Sequence, residues 1–170
     1  MSFLKTLFAA GSFFAITIAP AVAETLPAPQ GKVLLTISGS LNNETAGGVV
    51  ALDLDILKSM ETKTFTTSTI WLENEVEFTA VSLHDILEHA GATGSMINTI
   101  ALNDYQVEFP RDEIGPDAPF VAFLMDGKEM SARGKGPLWI VYPYDEGAQY
   151  RTEVTYSRSI WQLDRIVSLQ

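Results

Sequence analysis

The chain contains no cysteine among its 170 residues. That absence excludes disulfides, thiolate zinc sites, iron–sulfur clusters and cysteine nucleophiles. Histidine is nearly as scarce, with two residues in all. His84 and His89 stand five apart, so a helix does not present them as an i, i+4 pair, and their spacing suggests no third metal ligand. Positive charge is also in short supply. Eleven Lys and Arg against 21 Asp and Glu leave a net charge of −10, a balance that repels nucleic acid and anionic membrane surfaces. Solubility of an exported protein is enough to explain it, although an acidic face also suits a basic partner. No Gly-x-Ser-x-Gly elbow and no Ser/His/Asp set is present. Gly134-Lys135-Gly136-Pro137 is too short for a phosphate loop of the Walker kind.

Long apolar runs are missing too, with one short exception at the start. Lys5 supplies a positive charge, Thr6 to Ala19 is mostly apolar, and Ala21-Val22-Ala23 fits a small-x-small cleavage site before Glu24. This three-part plan predicts a secretory signal peptide over residues 1–23 and export to the periplasm. The run is interrupted by Gly11, Ser12, Thr17 and Pro20 and falls short of the ~20 residues a membrane span needs. No direct membrane insertion is therefore expected. Residues 24–170 then form a single domain with 10 basic against 21 acidic residues, since Lys5 is the one charge removed. Without disulfides, packing alone must hold it together.

Periodicity and punctuation predict an α+β domain with a mixed β-sheet and few short helices. Val33 to Ser38 reads as a strand, Leu52 to Met60 as a short helix, and Thr62 to Ile70 as a strand or extended loop. Ser82 is the expected N-cap of a helix, with Asp85 three residues on and Gly91 at its end. Ile97 to Leu102 and Tyr105 to Phe109 form a hairpin around Asn103-Asp104, and Pro110 stops it. Phe120 to Met125 and Lys128 to Met130 flank Asp126-Gly127, the strongest hairpin signal in the chain. Leu138 to Tyr142 reads as a buried strand between Pro137 and Pro143, with Leu138, Ile140 and Tyr142 on one face and Trp139 and Val141 on the other. Tyr144 to Thr152 reads as a loop, and Ser159 to Val167 as a final strand.

Several of these segments, in this order, resemble the sulfite-oxidase-type molybdopterin-binding fold. Phe78-Thr79-Ala80-Val81-Ser82-Leu83-His84-Asp85-Ile86-Leu87 is similar to that family's Phe-x-Gly-Val-x-Leu-x-x-Leu-Leu segment, with Ala80 in the glycine position. Asn103-Asp104-Tyr105 resembles its Asp-Gly-Tyr hairpin, and Phe123-Leu124-Met125-Asp126-Gly127 its Tyr-x-Met-Asn-Gly hairpin. The resemblance runs from about Thr64 to the C-terminus. It also brings two departures. Where the family carries its molybdenum-ligating cysteine, this chain has Phe65-Thr66-Thr67-Ser68-Thr69-Ile70-Trp71, and hydroxyls do not replace a soft thiolate. Where the enzymes carry a phosphate-binding arginine after a Gly-x-Pro turn, Gly136-Pro137-Leu138 is followed by Trp139. Both departures imply a flat heterocycle held without molybdenum. Gly136-Pro137-Leu138-Trp139-Ile140-Val141-Tyr142-Pro143 and Tyr156-Ser157-Arg158-Ser159-Ile160-Trp161-Gln162-Leu163 are similar to signatures of the cysteine-free periplasmic pterin-binding regulators, sometimes called PruR-like. That resemblance implies a tetrahydropterin-like ligand. It also implies a partner, the periplasmic sensory domain of an inner-membrane enzyme that makes or degrades cyclic di-GMP.

A pterin needs aromatic faces for its ring and paired polar groups for its aminopyrimidinone edge. The residues offered for the ring are Trp139, Tyr142, Tyr144 and Trp161, with Trp71 as a cap over the pocket. Asp104, Asp145 and Glu146 are offered as edge acceptors, and Arg133, Lys135 and Arg158 as donors to a carbonyl oxygen. Each has a plain structural alternative: Trp139 and Trp161 as core, Trp71 as the anchor of its own loop, Asp104 as a turn residue, Arg158 as half of a surface ion pair. Three functions compete at this point: a non-catalytic pterin-binding regulator, a molybdopterin-dependent oxidoreductase or its accessory subunit, and a periplasmic interaction domain with no ligand.

Overall fold

The computed structural model of the protein describes residues 27–42 and 47–170. The predicted leader, residues 1–23, lies outside the described residues. Among the described residues the architecture is α+β, with two five-stranded sheets and three short α-helices. The first sheet runs β2 (Val49–Asp53), β1 (Val33–Gly39), β10 (Leu163–Leu169), β5 (Met96–Ala101) and β6 (Gln106–Pro110). It is mixed: β1 and β10 are parallel, and the other neighbours are antiparallel. The second sheet is antiparallel and runs β3 (Thr62–Thr67), β4 (Val76–Ser82), β7 (Phe120–Met125) and β8 (Lys128–Glu129), while β9 (Trp139–Val141) also pairs with β7.

The helices sit where the chain changes sheets. α1 (Leu54–Ser59) links β2 to β3, and α2 (Leu83–Ala90) links β4 to β5. Helix α1 is shorter than the spacing predicts, because Leu52 and Asp53 belong to β2, and Asp53 caps the helix by accepting from the Ile56 N–H. Ser82 caps α2 as predicted, accepting from the His84 N–H, and Gly91 ends it with φ 67° in the left-handed region. The Asp85 carboxylate does not complete a capping box; it lies 3.1 Å from His84 Nδ1.

Alternation explains why the second sheet is apolar on both faces. Val121, Phe123, Leu138 and Ile140 join the main core with Leu35, Ile37, Leu57, Leu83, Ile86, Ile97 and Ile166. Phe78, Ala80, Phe120, Ala122, Trp139 and Val141 point to the other face and form a second cluster with Phe65 and Met130. The predicted faces of the Leu138–Tyr142 segment are the observed ones. Segment 160–163 then runs along β9, where the Ile140 N–H donates to Ile160 O and the Leu163 N–H to Leu138 O. The final strand therefore begins at Leu163, four residues later than its composition suggests, and its lead-in ties the two sheets together.

Candidate functional site

A cleft of about 360 Å³ opens where four separate segments meet. The β3–β4 loop delivers Trp71, and the β5–β6 turn delivers Asn103 and Tyr105. Helix α3 (Glu153–Arg158) delivers Tyr156 and Ser157, and the lead-in to β10 delivers Trp161. The volume lies at the lower end of the roughly 300–1,000 Å³ range of small-molecule sites. Its exposed side chains are unusual for a surface: Trp161 is 38% and Tyr105 54% exposed. Large aromatic faces left in water recover no burial energy from folding.

Each wall has a local reason. The turn at Asn103-Asp104 is tight because Asp104 adopts φ 63° and the Asn103 side-chain carbonyl accepts from the Tyr105 N–H. Helix α3 starts at Thr152, whose hydroxyl accepts from the Thr155 N–H. Trp161 is fixed by its neighbours: the Gln162 N–H donates to Lys135 O, and the Gln162 amide donates to Ala132 O and Gly134 O. Trp71 is the hub of an aromatic network. Its ring centre lies 5.9 Å from Trp161, 5.8 Å from Tyr156, 5.7 Å from Trp139 and 6.1 Å from Tyr144, all in edge-on geometry. Such pairs add about 0.5–1.5 kcal/mol each beyond the area they bury.

The structure divides the eleven predicted site residues. Trp71 and Trp161 line the cleft, and Asp104 lies between two of its lining residues, with its carboxylate 2.5 Å from Arg165 Nη2. Trp139 does not line it. The indole is fully buried, its Nε1–H donates to Ser159 O, and it meets Phe78 edge-on at 5.4 Å. Trp139 is a core residue behind the cleft. Tyr144 is likewise buried, with its hydroxyl 2.7 Å from Ser159 Oγ, and burial pushes its phenol well above the ordinary range. Lys135 sits against the indoles rather than in the cleft lining.

Five predicted residues lie elsewhere. Tyr142 and Arg158 belong to a different hollow, where Arg158 pairs with Glu113 at 2.5 Å and covers the Phe109 ring at 5.2 Å. Helix α3 explains this: Ser157 and Arg158 are adjacent, so they point to different sides. Arg133 is exposed on the loop before β9. Asp145 is spent on structure. Its carboxylate accepts from the Ser68 N–H at 2.5 Å and the Ser68 hydroxyl at 2.7 Å, and the Asp145 N–H donates to Thr67 Oγ1. The Ser68 N–H, more than any other group, holds the Asp145 carboxyl below the usual range. Asp145 therefore clamps the loop that carries Trp71. Glu146 reaches Lys63 at 3.9 Å instead of the cleft. Asn103, Tyr105, Tyr156 and Ser157 line the cleft and were not singled out by composition. Tyr156 and Ser157 did, however, sit inside the quoted Tyr156–Leu163 signature.

Chemically, the cleft offers aromatic faces, the Asn103 amide and hydroxyls. Among the described residues, no three His, Cys, Asp or Glu side chains are grouped to hold a metal ion. Thr67 and Ser68 direct their hydroxyls to Asp145. No helix among the described residues is long and apolar enough to cross a membrane. No family model matches the chain, and no curated protein matches it. The α+β class with mixed pairing thus rests on the structure, and the sulfite-oxidase-type likeness rests on the motifs.

Proposed function

We propose that this chain is a periplasmic, non-catalytic pterin-binding protein that regulates an inner-membrane cyclic di-GMP cyclase or phosphodiesterase through that enzyme's sensory domain. One observation supports the ligand class above the others: four chain segments bring Trp71, Tyr105, Tyr156 and the half-exposed Trp161 around one cleft. A planar bicyclic ring is the shape that such walls cover most fully. The Asn103 amide NH2 supplies a donor at the cleft for the ring carbonyl of an aminopyrimidinone, while its oxygen accepts from the Tyr105 N–H. The regulatory role and the export follow from the motif resemblance and from the leader-like start.

Fluorescence titration with 2-amino-4-oxopteridine and with a tetrahydropterin tests the reading. Binding at micromolar concentration is expected, with Trp161→Ala weakening it by at least about tenfold, since an aromatic wall stacked on a planar ring contributes on the order of 1–3 kcal/mol. Metal analysis of the purified protein is expected to show no molybdenum. Stoichiometric molybdenum, or pterin affinity unchanged in Trp161→Ala, overturns the proposal. Capture of the sensory domain only when pterin is present supports the regulatory half, and equal capture without it removes that half.

A further inference from the structure

A further hollow, of about 450 Å³, has Lys135 in its lining. Its apolar walls are Leu72, Met125 and Met130, from the β3–β4 loop and the β7–β8 hairpin. Lys135 enters it with an unusual set of neighbours. Its ammonium lies 3.9 Å from the Trp161 ring centre, 4.9 Å from that of Trp139 and 5.9 Å from that of Trp71. Three indole faces attract a cation, yet they give it no hydrogen-bond acceptor in the ring plane. Among the described residues the ammonium has no ion pair and no hydrogen bond.

The other charges at this hollow are accounted for. Asp126 holds the hairpin turn, with Oδ1 accepting from the Glu77 N–H at 3.1 Å. Lys128 and Glu129 are exposed to water, with side chains on opposite faces of their strand. The partly buried charge without a counter-ion among the described residues is Lys135, in a protein with 21 acidic and 11 basic residues. Burial pushes its ammonium below the usual lysine range. An arriving anion would relieve that penalty.

We propose that this hollow is a second binding site, separate from the aromatic cleft, for a free acyl carboxylate. Its aliphatic body would lie on Leu72, Met125 and Met130, and its carboxylate would take the ammonium of Lys135. An apolar body alone leaves the ammonium without an acceptor. A cation in the same place adds a like charge. The site therefore selects by the sign of the headgroup. The inference is independent of the pterin reading, because neither the probe nor the readout involves a pterin.

The test is a calorimetric titration of the full domain with octanoate, octanol and octylammonium. Octanoate is expected to bind at least about tenfold more tightly than octanol, the factor an ordinary charge-assisted hydrogen bond supplies, and octylammonium more weakly than either. Lys135→Met is expected to erase the order, Lys135→Arg to keep it, and Tyr105→Ala, which alters only the other cleft, to leave it unchanged. Equal binding of octanoate and octanol by the unaltered protein overturns the proposal, as does no binding of any of the three. Loss of octanoate binding in Tyr105→Ala also overturns it, because the ligand then sits in the aromatic cleft. The unaltered protein decides the matter even if Lys135→Met does not fold.

Discussion

Trp139 and Trp161 separate stability from binding, because they face each other at one β-bridge yet differ in exposure. Trp139 is fully buried and bridged to Trp161, which is 38% exposed. Trp139→Ala removes an indole packed on Phe78 and Trp71 and leaves Ser159 O without its donor. Truncating a buried Trp costs about 3–5 kcal/mol, and the lost hydrogen bond adds about 1 kcal/mol. Against a typical domain stability of roughly 5–15 kcal/mol, that is about a quarter or more of the total. With a urea dependence near 1–3 kcal/mol/M, the unfolding midpoint falls by about 2 M. Trp161→Ala loses only part of that burial, about 1–2 kcal/mol, but removes a wall of the cleft. Equilibrium urea unfolding, followed by far-UV circular dichroism, gives the first quantity, and pterin titration gives the second. The expected pattern is a large stability loss for Trp139→Ala and a large affinity loss for Trp161→Ala. If Trp139→Ala instead loses less than about 1 kcal/mol of stability while abolishing binding, the indole belongs to the site and the core assignment is refuted.

Further outcomes follow from individual contacts. Gly136→Ala places a Cβ 2.0 Å from Met130 O, so it should destabilise by at least about 1–3 kcal/mol, read as a lower urea midpoint. Arg158→Ala should leave pterin affinity within about twofold and cost about 1 kcal/mol, because the guanidinium pairs with Glu113 in a different hollow. Asp145→Asn should loosen the loop that carries Trp71, read as a shift in tryptophan emission at neutral pH. The Asp145 carboxyl is lowered in the folded state from an ordinary 3.8, so its contribution is complete above that value and is lost as pH falls through the lowered one. The difference between Asp145→Asn and the unaltered protein should therefore vanish in acid. Asp53, lowered for a similar reason by the Gly31 and Ile56 N–H groups, acts in the same window and remains in both proteins.

The two hairpins were legible because their turns need residues that accept positive φ. Asp104 at 63°, Asp126 at 50° and Gly127 at 71° supply it, and these residue types stand out locally. The helix α2 was legible for the same kind of reason: Ser82 and Gly91 mark its ends. Strand β2 was not, because its last residues, Leu52 and Asp53, also fit the start of the following helix. Helix α3 was hidden by its composition. Glu153–Arg158 contains β-branched Val154 and Thr155 and an aromatic Tyr156, none of them strong helix formers. Its Thr152 cap is formed by a side chain that in sequence reads equally well as loop.

The candidate site was harder to read than the fold for a physical reason. Local periodicity reports which way a side chain points within its own element, and it gave the right faces for Leu138 to Tyr142. It does not report what covers that face. Trp139 lies on the face covered by the second core cluster, while Trp161 comes from a segment paired to the same strand and turns outward. The two indoles face opposite fates although they meet at one β-bridge. The same limit explains Asp145: an exposed carboxylate beside an aromatic strand suggests a ligand acceptor, but Thr67 and Ser68, far away in sequence, take up its oxygens. What unites the outcomes is that the chain spends its polar groups on holding the Trp71 loop in place and leaves aromatic faces open beside it. That division leaves an open aromatic cleft, with rigidity supplied from behind by Trp139 and Tyr144.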